Sequence, residues 1–224
     1  SSNFYEKITT DSSASALQKT QEGNYWDSFL KLDFDQDKRN QKFQTTQGFR
    51  NYFSSDIPLI SETNTLVNTY IVTNYYEYLN NSVLKSSFYF QNSNSITGEN
   101  IKLSERLYLP SNRLRGFQKG KVGPKDGEDF IGGNYISSLN FEANFPNFFP
   151  EKSNADIGIF LDAGNVWGVD YNDTIDDSNK IRSTFGVNTS WLSPAGPLKF
   201  FVIFDDNTYL KVKKIVIFTI SSMP

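Results

Sequence analysis

The sequence predicts an all-β fold: an antiparallel transmembrane β-barrel, here a partial barrel of about eight strands. Three observations predict it. Apolar residues recur at alternate positions in several stretches, the side-chain period of a strand rather than a helix. Those stretches run to roughly ten residues, the length a tilted strand needs to cross a bilayer. Only 38% of the 224 residues are apolar, yet 16% are aromatic, a balance that suits a sheet with one greasy face, one polar face and aromatic rims.

Residues 1–5 carry neither the basic segment nor the apolar core of a secretory signal. Residues 12–21 are the only helix-like stretch, short and polar. In 26–35, Trp26, Leu30, Leu32 and Phe34 share one parity, and Asp27, Lys31, Asp33 and Asp35 share the other. Weaker strands fit 48–59, 66–78 and 83–91. The faces of 66–78 are ambiguous, because both parities carry Tyr and aliphatic residues. Leu79-Asn80-Asn81-Ser82 reads as a tight turn, and 92–130 as one long loop.

Alternation then returns. Over 135–145, Tyr135, Leu139, Phe141, Ala143 and Phe145 face one way, opposed to Asn134, Ser138, Asn140, Glu142 and Asn144. Over 157–167, Ile157, Ile159, Leu161, Ala163 and Trp167 oppose Asp156, Gly158, Asp162 and Gly164. A polar loop, 168–180, precedes the strand 181–191, where Ile181, Phe185, Val187 and Trp191 oppose Arg182, Thr184, Gly186, Asn188 and Ser190. Ser193-Pro194-Ala195-Gly196 is a second tight turn before a strand at 197–204. Short turns at one end and long loops at the other are the pattern of outer-membrane barrels. A soluble β-sandwich also alternates, and strand length favours the barrel over it.

Composition excludes several functions. Lys and Arg number 22 against 25 Asp and Glu, a net charge of −3, so no basic block could neutralise many phosphates of a nucleic acid. With no Cys and no His, thiol nucleophiles, disulfides, Ser-His-Asp triads and ordinary zinc sites are excluded. Gly116-Phe117-Gln118-Lys119-Gly120-Lys121-Val122 misses the phosphate-loop spacing, and Val122 lacks the hydroxyl that would hold Mg²⁺. The acidic run 170–181 has Ile175 where a calcium loop needs Gly and Ile181 where it needs Glu. No cofactor, no metal and no enzymatic activity are expected.

The long loop is the informative segment. It carries Leu114-Arg115-Gly116-Phe117, one Arg-Gly between two large apolar residues. Gly116 lets the backbone turn tightly or approach a wall. Arg115 keeps its charge and presents a planar fork of donors to carboxylates. Glu142 and Asp162 sit on later strands with polar-face parity. If the sheet closes, both point into the lumen, where an inward-folded loop would present Arg115 to them.

Leu114-Arg115-Gly116-Phe117 resembles the loop motif of the BamA-type outer-membrane protein insertases, the bacterial surface antigen family. Four further segments agree in the family's order. They are Gly132-Gly133-Asn134, the strand from Leu139 to Pro146, Phe160-Leu161-Asp162-Ala163-Gly164-Asn165-Val166-Trp167, and Trp191-Leu192-Ser193-Pro194-Ala195-Gly196-Pro197-Leu198. The resemblance implies a large barrel, preceded by periplasmic POTRA domains, that inserts unfolded outer-membrane proteins through a weak seam. It implies an outer-membrane location, contact with lipid, outer-membrane protein clients, and accessory assembly lipoproteins in the full-length protein. Arg115 maps onto the family's motif arginine, and Glu142 and Asp162 onto its lumen-wall acids.

The chain departs from the family in coverage. No POTRA domain is present, and 1–224 reads as the C-terminal part of the barrel, beginning in a loop. The tail departs as well. Alternation is lost at Phe200-Phe201-Val202-Ile203-Phe204, so 200–224 reads as a divergent last strand or a frame-shifted end. A TamA-like or two-partner secretion transporter is the alternative within related barrels, and the soluble binding module remains the alternative outside them.

Overall fold

The computed structural model describes residues 2–12, 14, 16–42, 45–61, 64–78, 82–146, 149, 155–175, 180–193, 196–204 and 212–219. Its strands are β1 (Ser2–Ile8), β2 (Gly23–Asp37), β3 (Gly48–Ile60), β4 (Thr65–Tyr78), β5 (Ser82–Ser95), β6 (Lys125–Asp126), β7 (Asp129–Phe130), β8 (Tyr135–Phe145), β9 (Ala155–Trp167), β10 (Arg182–Ser193), β11 (Gly196–Phe204) and β12 (Val212–Thr219). One helical turn, α1 (Ala16–Lys19), falls within the stretch whose sequence is helix-like.

Ten strands make one antiparallel sheet in the order β1-β2-β3-β4-β5-β8-β9-β10-β11-β12, and β6 and β7 pair by themselves. Every neighbour is the next long strand in sequence, the up-and-down order of a barrel wall. β1 and β12 do not pair, so the sheet is open and forms part of a barrel.

The sheet has ten strands where about eight were expected. The two additional strands are β1, where Phe4 and Tyr5 are adjacent and 55% and 60% exposed so that alternation is masked, and β12, which lies in the tail read as divergent or frame-shifted. A strand at the very start also replaces the expected loop. Strands are longer than expected, β2 reaching 15 residues and β5 and β4 14 each. The alternation of loop lengths is also imperfect. The connection 61–64 is short at the long-loop end, and 38–47 is long at the opposite end. The two expected tight turns fall at 79–81 and 194–195, outside the described residues; Tyr78 pairs with Ser82, and Ser193 with Gly196.

Alternation puts apolar side chains on the outer face: Trp26, Leu32, Phe34, Leu139, Phe141, Ile159, Leu161 and Phe185 are all exposed. The inner face carries Ser87, Ser138, Glu142, Asp162 and Asn188, all buried. An apolar outside with a polar, covered inside inverts a water-soluble domain and matches a lipid-facing wall. In β4 the structure resolves the ambiguous faces. Tyr70, Tyr76 and Tyr78 point outward, while Val67 and Ile71 pack inward against the buried cluster of Tyr89, Leu107, Leu109, Leu114, Val122, Ile136 and Val166.

That cluster explains why alternation breaks where it does. Ile136 and Val166 are apolar side chains on the polar parity, and both are fully buried. Leu107, Leu109, Leu114 and Val122 come from the long connection between β5 and β8, which packs against the inner face. β11 follows the same logic. It pairs with β10 in register from Gly196 through Phe204. Phe201 and Ile203 point inward and are buried, whereas Phe204 stacks on Phe185 outside at 5.3 Å. The aromatic run therefore alternates between two apolar environments. β12 pairs with β11 across a register shift near Val202 and Phe204, and 205–211 and 220–224 lie outside the described residues.

Candidate functional site

The long connection starts after Ser95, later than the residue 92 expected, and carries structure of its own. A 3-10 turn spans Leu103–Glu105, Leu107 bridges to Gly133, and β6 and β7 form a small hairpin. Between these lies Leu114-Arg115-Gly116-Phe117. Arg113 N donates to Pro110 O at 2.9 Å and Phe117 N to Leu114 O at 3.3 Å, so the motif sits in successive turns. Leu114 is 1% exposed and enters the apolar cluster, with Phe117 packed at its margin. Gly116 adopts φ +94°, and a Cβ there would meet Ile203 Cδ1 at 3.0 Å. The left-handed turn calls for glycine at this position, and the close Ile203 side chain leaves little room for a larger residue.

Arg115 is thereby delivered to β8 and β9. Its Nε donates to Asp162 Oδ2 at 2.7 Å, its Nη2 to Asp162 Oδ1 at 2.7 Å, and its backbone N to Asp162 Oδ2 at 3.1 Å. Nη1 donates to Glu142 Oε2 at 2.8 Å. This is the bidentate fork-to-carboxylate geometry that a lysine cannot reproduce. Cross-strand register explains the convergence: Asn140 pairs with Asp162, and Glu142 with Phe160, so all four side chains share one face.

Both acids have further partners. Asn140 Nδ2 donates to Asp162 Oδ1 at 2.9 Å and to Arg113 O at 2.7 Å. Lys199 Nζ donates to Glu142 Oε1 at 2.6 Å. The guanidinium lies 3.7 Å from the Phe160 ring centroid and 5.4 Å from that of Phe201, and those rings meet edge-on at 5.9 Å. Asp162 is fully buried and Arg115 nearly so. Removing one member of such a buried, hydrogen-bonded set costs about 3–5 kcal/mol, because the remaining charge stays buried without its partner.

All six residues singled out in the sequence meet here: Leu114, Arg115, Gly116 and Phe117 in the turn, Glu142 and Asp162 on the wall. Sequence reasoning missed Asn140, Phe160, Lys199 and Phe201. Two of these left a signal, since Phe160 and Phe201 are large apolar residues at inward parity. It also missed a second polar cluster at the long-loop end. There Arg106 pairs with Asp170, and Asp170 Oδ2 accepts from Ile101 N and Asn134 Nδ2, each at 3.0 Å. Burial works against the Asp170 carboxylate, but these hydrogen bonds and the Arg106 charge outweigh it and hold its pKa below the usual aspartate value.

The Omp85 superfamily domain matches residues 1–212. Over 106 residues the chain is 31% identical to the outer membrane protein assembly factor BamA of Neorickettsia risticii (strain Illinois), a match to 46% of this chain and 14% of that protein. It is 29% identical to the BamA assembly factor of Neisseria meningitidis serogroup B (strain ATCC BAA-335 / MC58) over 39% of this chain and 14% of that protein. In three dimensions it is similar to the crystal structure of BamA from Haemophilus ducreyi lacking POTRA domains 1-3. That likeness has a TM-score of 0.74 at 22% identity and covers 93% of this chain and 44% of that one. The chain thus spans less than half of that structure and a small part of the two sequence relatives.

Proposed function

This chain belongs to the Omp85 superfamily and to the bacterial outer membrane, and from that premise we propose that it is the C-terminal part of a barrel that inserts other β-barrel proteins. The names of its relatives support an assembly factor over a pore or a secretion channel. In this reading residues 1–224 are the C-terminal part of the barrel with its long lumen loop, the activity belongs to the full-length protein, and POTRA domains precede the barrel. Outer-membrane lipid covers the apolar face. Unfolded outer-membrane proteins are the clients, and accessory lipoproteins assist.

The work is physical, with no bond made or broken. An unpaired strand edge in hydrocarbon is costly, because no water satisfies its N–H and C=O groups. A barrel that lends its own edge to an incoming strand removes that cost while the client folds. Such a barrel must open at one place and stay rigid elsewhere. The observation that carries the proposal is the Arg115 clamp, which fastens the inward loop to the wall at β8 and β9.

The test is a double-mutant cycle in the full-length protein with Arg115→Ala and Asp162→Ala, scoring barrel stability and assembly of a client. Coupling of about 1.5–3 kcal/mol in stability, with matching loss of assembly, supports the reading. Simple additivity removes the clamp from the mechanism. Depletion of the protein distinguishes the transporter alternative: many unrelated barrels should disappear from the membrane together, whereas loss of a single exported protein overturns the insertase reading.

A further inference from the structure

Residues 101–106 of the long connection carry buried charges that the Arg115 clamp does not use. Lys102 and Arg106 are each 3% exposed. On one side Arg106 pairs with Asp170, and its Nη1 donates to Asn134 Oδ1 at 3.2 Å. Its Nη2 also donates to Ile101 O at 3.2 Å, and its guanidinium lies 4.8 Å from the Tyr171 ring. On the other side Lys102 Nζ lies 3.5 Å from Asp27 Oδ2 and 3.8 Å from the Tyr25 ring, both on β2. Leu103 N donates to Gln21 Oε1 at 2.7 Å, and Thr65 Oγ1 of β4 donates to Glu105 Oε2 at 2.7 Å.

One six-residue segment therefore touches β2, β4 and the connection after β9. In the sheet, β2 and β9 are separated by β3, β4, β5 and β8, so the segment bridges strands that are not neighbours. A side chain merely packed on its own wall would not need charged partners at both ends. Each of the two buried cations faces a carboxylate; Arg106 is also hydrogen-bonded, whereas Lys102 Nζ makes no hydrogen bond among the described residues and is held by the Asp27 charge and the Tyr25 ring.

We propose that residues 101–106 form a strap that joins β2 to the connection after β9 and is released independently of the Arg115 clamp. Lys102 and Arg106 are positioning residues at its two ends. The inference rests on geometry alone and does not depend on the insertase reading. Independence follows from distance. Asp162 and Trp167 are five residues apart on β9, about 17 Å at the rise of an extended strand, and Asp170 lies beyond. The two fastenings share no partner, and sites that far apart respond additively.

The 224 residues contain no cysteine, so once any cysteine elsewhere in the full-length protein is replaced by serine, single thiols can report each fastening. Ile101→Cys reports the strap and Leu114→Cys the clamp, both sites being 1% exposed. The full-length protein in outer membranes is labelled with a water-soluble maleimide, and folded barrel is scored by its heat-modifiable gel mobility. Lys102→Gln and Asp170→Asn should each raise the labelling rate at position 101 by about tenfold or more and leave position 114 within about twofold. Arg115→Gln should do the reverse. Arg106→Gln should behave as Asp170→Asn; if it fails to fold, the Lys102 and Asp170 variants decide the matter. The proposal is overturned if either of these raises both sites together, or if only one of them affects position 101.

Discussion

Arg115 reaches its acids through Nε, Nη1, Nη2 and its own backbone N, so its side chain and its turn are fixed together. Arg115→Ala leaves Asp162 and Glu142 buried and facing the same void, and should cost about 3–5 kcal/mol in unfolding of the full-length barrel. Arg115→Lys should recover only part of this, because an ammonium cannot engage both oxygens of Asp162 and one of Glu142 at once. Equal stability of the Lys variant and the parent in urea titrations would show that charge alone matters. Asp170 makes a different prediction, because its carboxyl is held below the ordinary value in the folded protein. A depressed folded-state pKa contributes stability that is complete above the unfolded value, near pH 4, and is lost as pH falls through the folded value. The stability advantage of the parent over Asp170→Asn should therefore be constant between pH 6 and 7, on the order of what one charge-assisted pair supplies, and shrink below about pH 4. Thermal midpoints of the two proteins across that range check the sign. An advantage that grows on acidification would contradict it.

At the scale of the strand, each long element separates two environments by parity. β9 is the clearest case, with Ile159 and Leu161 exposed outside and Phe160 and Asp162 buried inside. Leu161→Arg should impair barrel folding by about 2–4 kcal/mol if the residue lies near the bilayer midplane, less near a rim. Leu161→Ser is the control, since it removes the apolar side chain without adding charge. Folding yields into lipid vesicles that do not distinguish the two would mean that this face does not meet hydrocarbon. β11 shows how parity can hide. Phe200 to Phe204 read as unpatterned in sequence, yet Phe201 and Ile203 line the clamp while Phe204 stacks with Phe185 outside. From Phe200 to Phe204 both faces are apolar because one is the outer face of the sheet and the other meets the motif turn.

The whole sheet has two unpaired edges, at β1 and β12, and a wall built for a larger ring. Exposed edges recruit other strands, and barrel diameter is set by strand number. The isolated 224-residue chain should therefore associate through its edges in detergent rather than close into a small barrel. Sedimentation together with heat-modifiable gel mobility checks this. A monomeric species with a stable heat-modifiable form would show that the chain closes by itself. Within the sheet the long loop works as internal bracing, fastened at β8 and β9 by Arg115 and at β2 and β4 by residues 102–105. Its position on the inner face turns what would be an unsupported wall into one with a packed interior.

The class of fold, the facing of most strands and the inward parity of Glu142 and Asp162 are legible in the amino-acid order. Those properties are local: a side-chain period of two can be read from a few neighbouring residues, whatever the rest of the chain does. The sequence also marked the Arg-Gly turn, since a single glycine beside an arginine between two large apolar residues is unusual in a solvated loop. It did not reveal β1, where two adjacent aromatics mask the period, nor the faces of β4, whose inward Val67 and Ile71 look like errors until the loop covers them. The groups that complete each fastening come together through long-range folding. Arg115 and Asp162 are 47 residues apart, Arg106 and Asp170 64, and Leu103 and Gln21 82. No local pattern encodes such separations. They depend on the path the long loop takes across the inner face, and that path is set by where the apolar cluster of Leu107, Leu109 and Leu114 finds its cover.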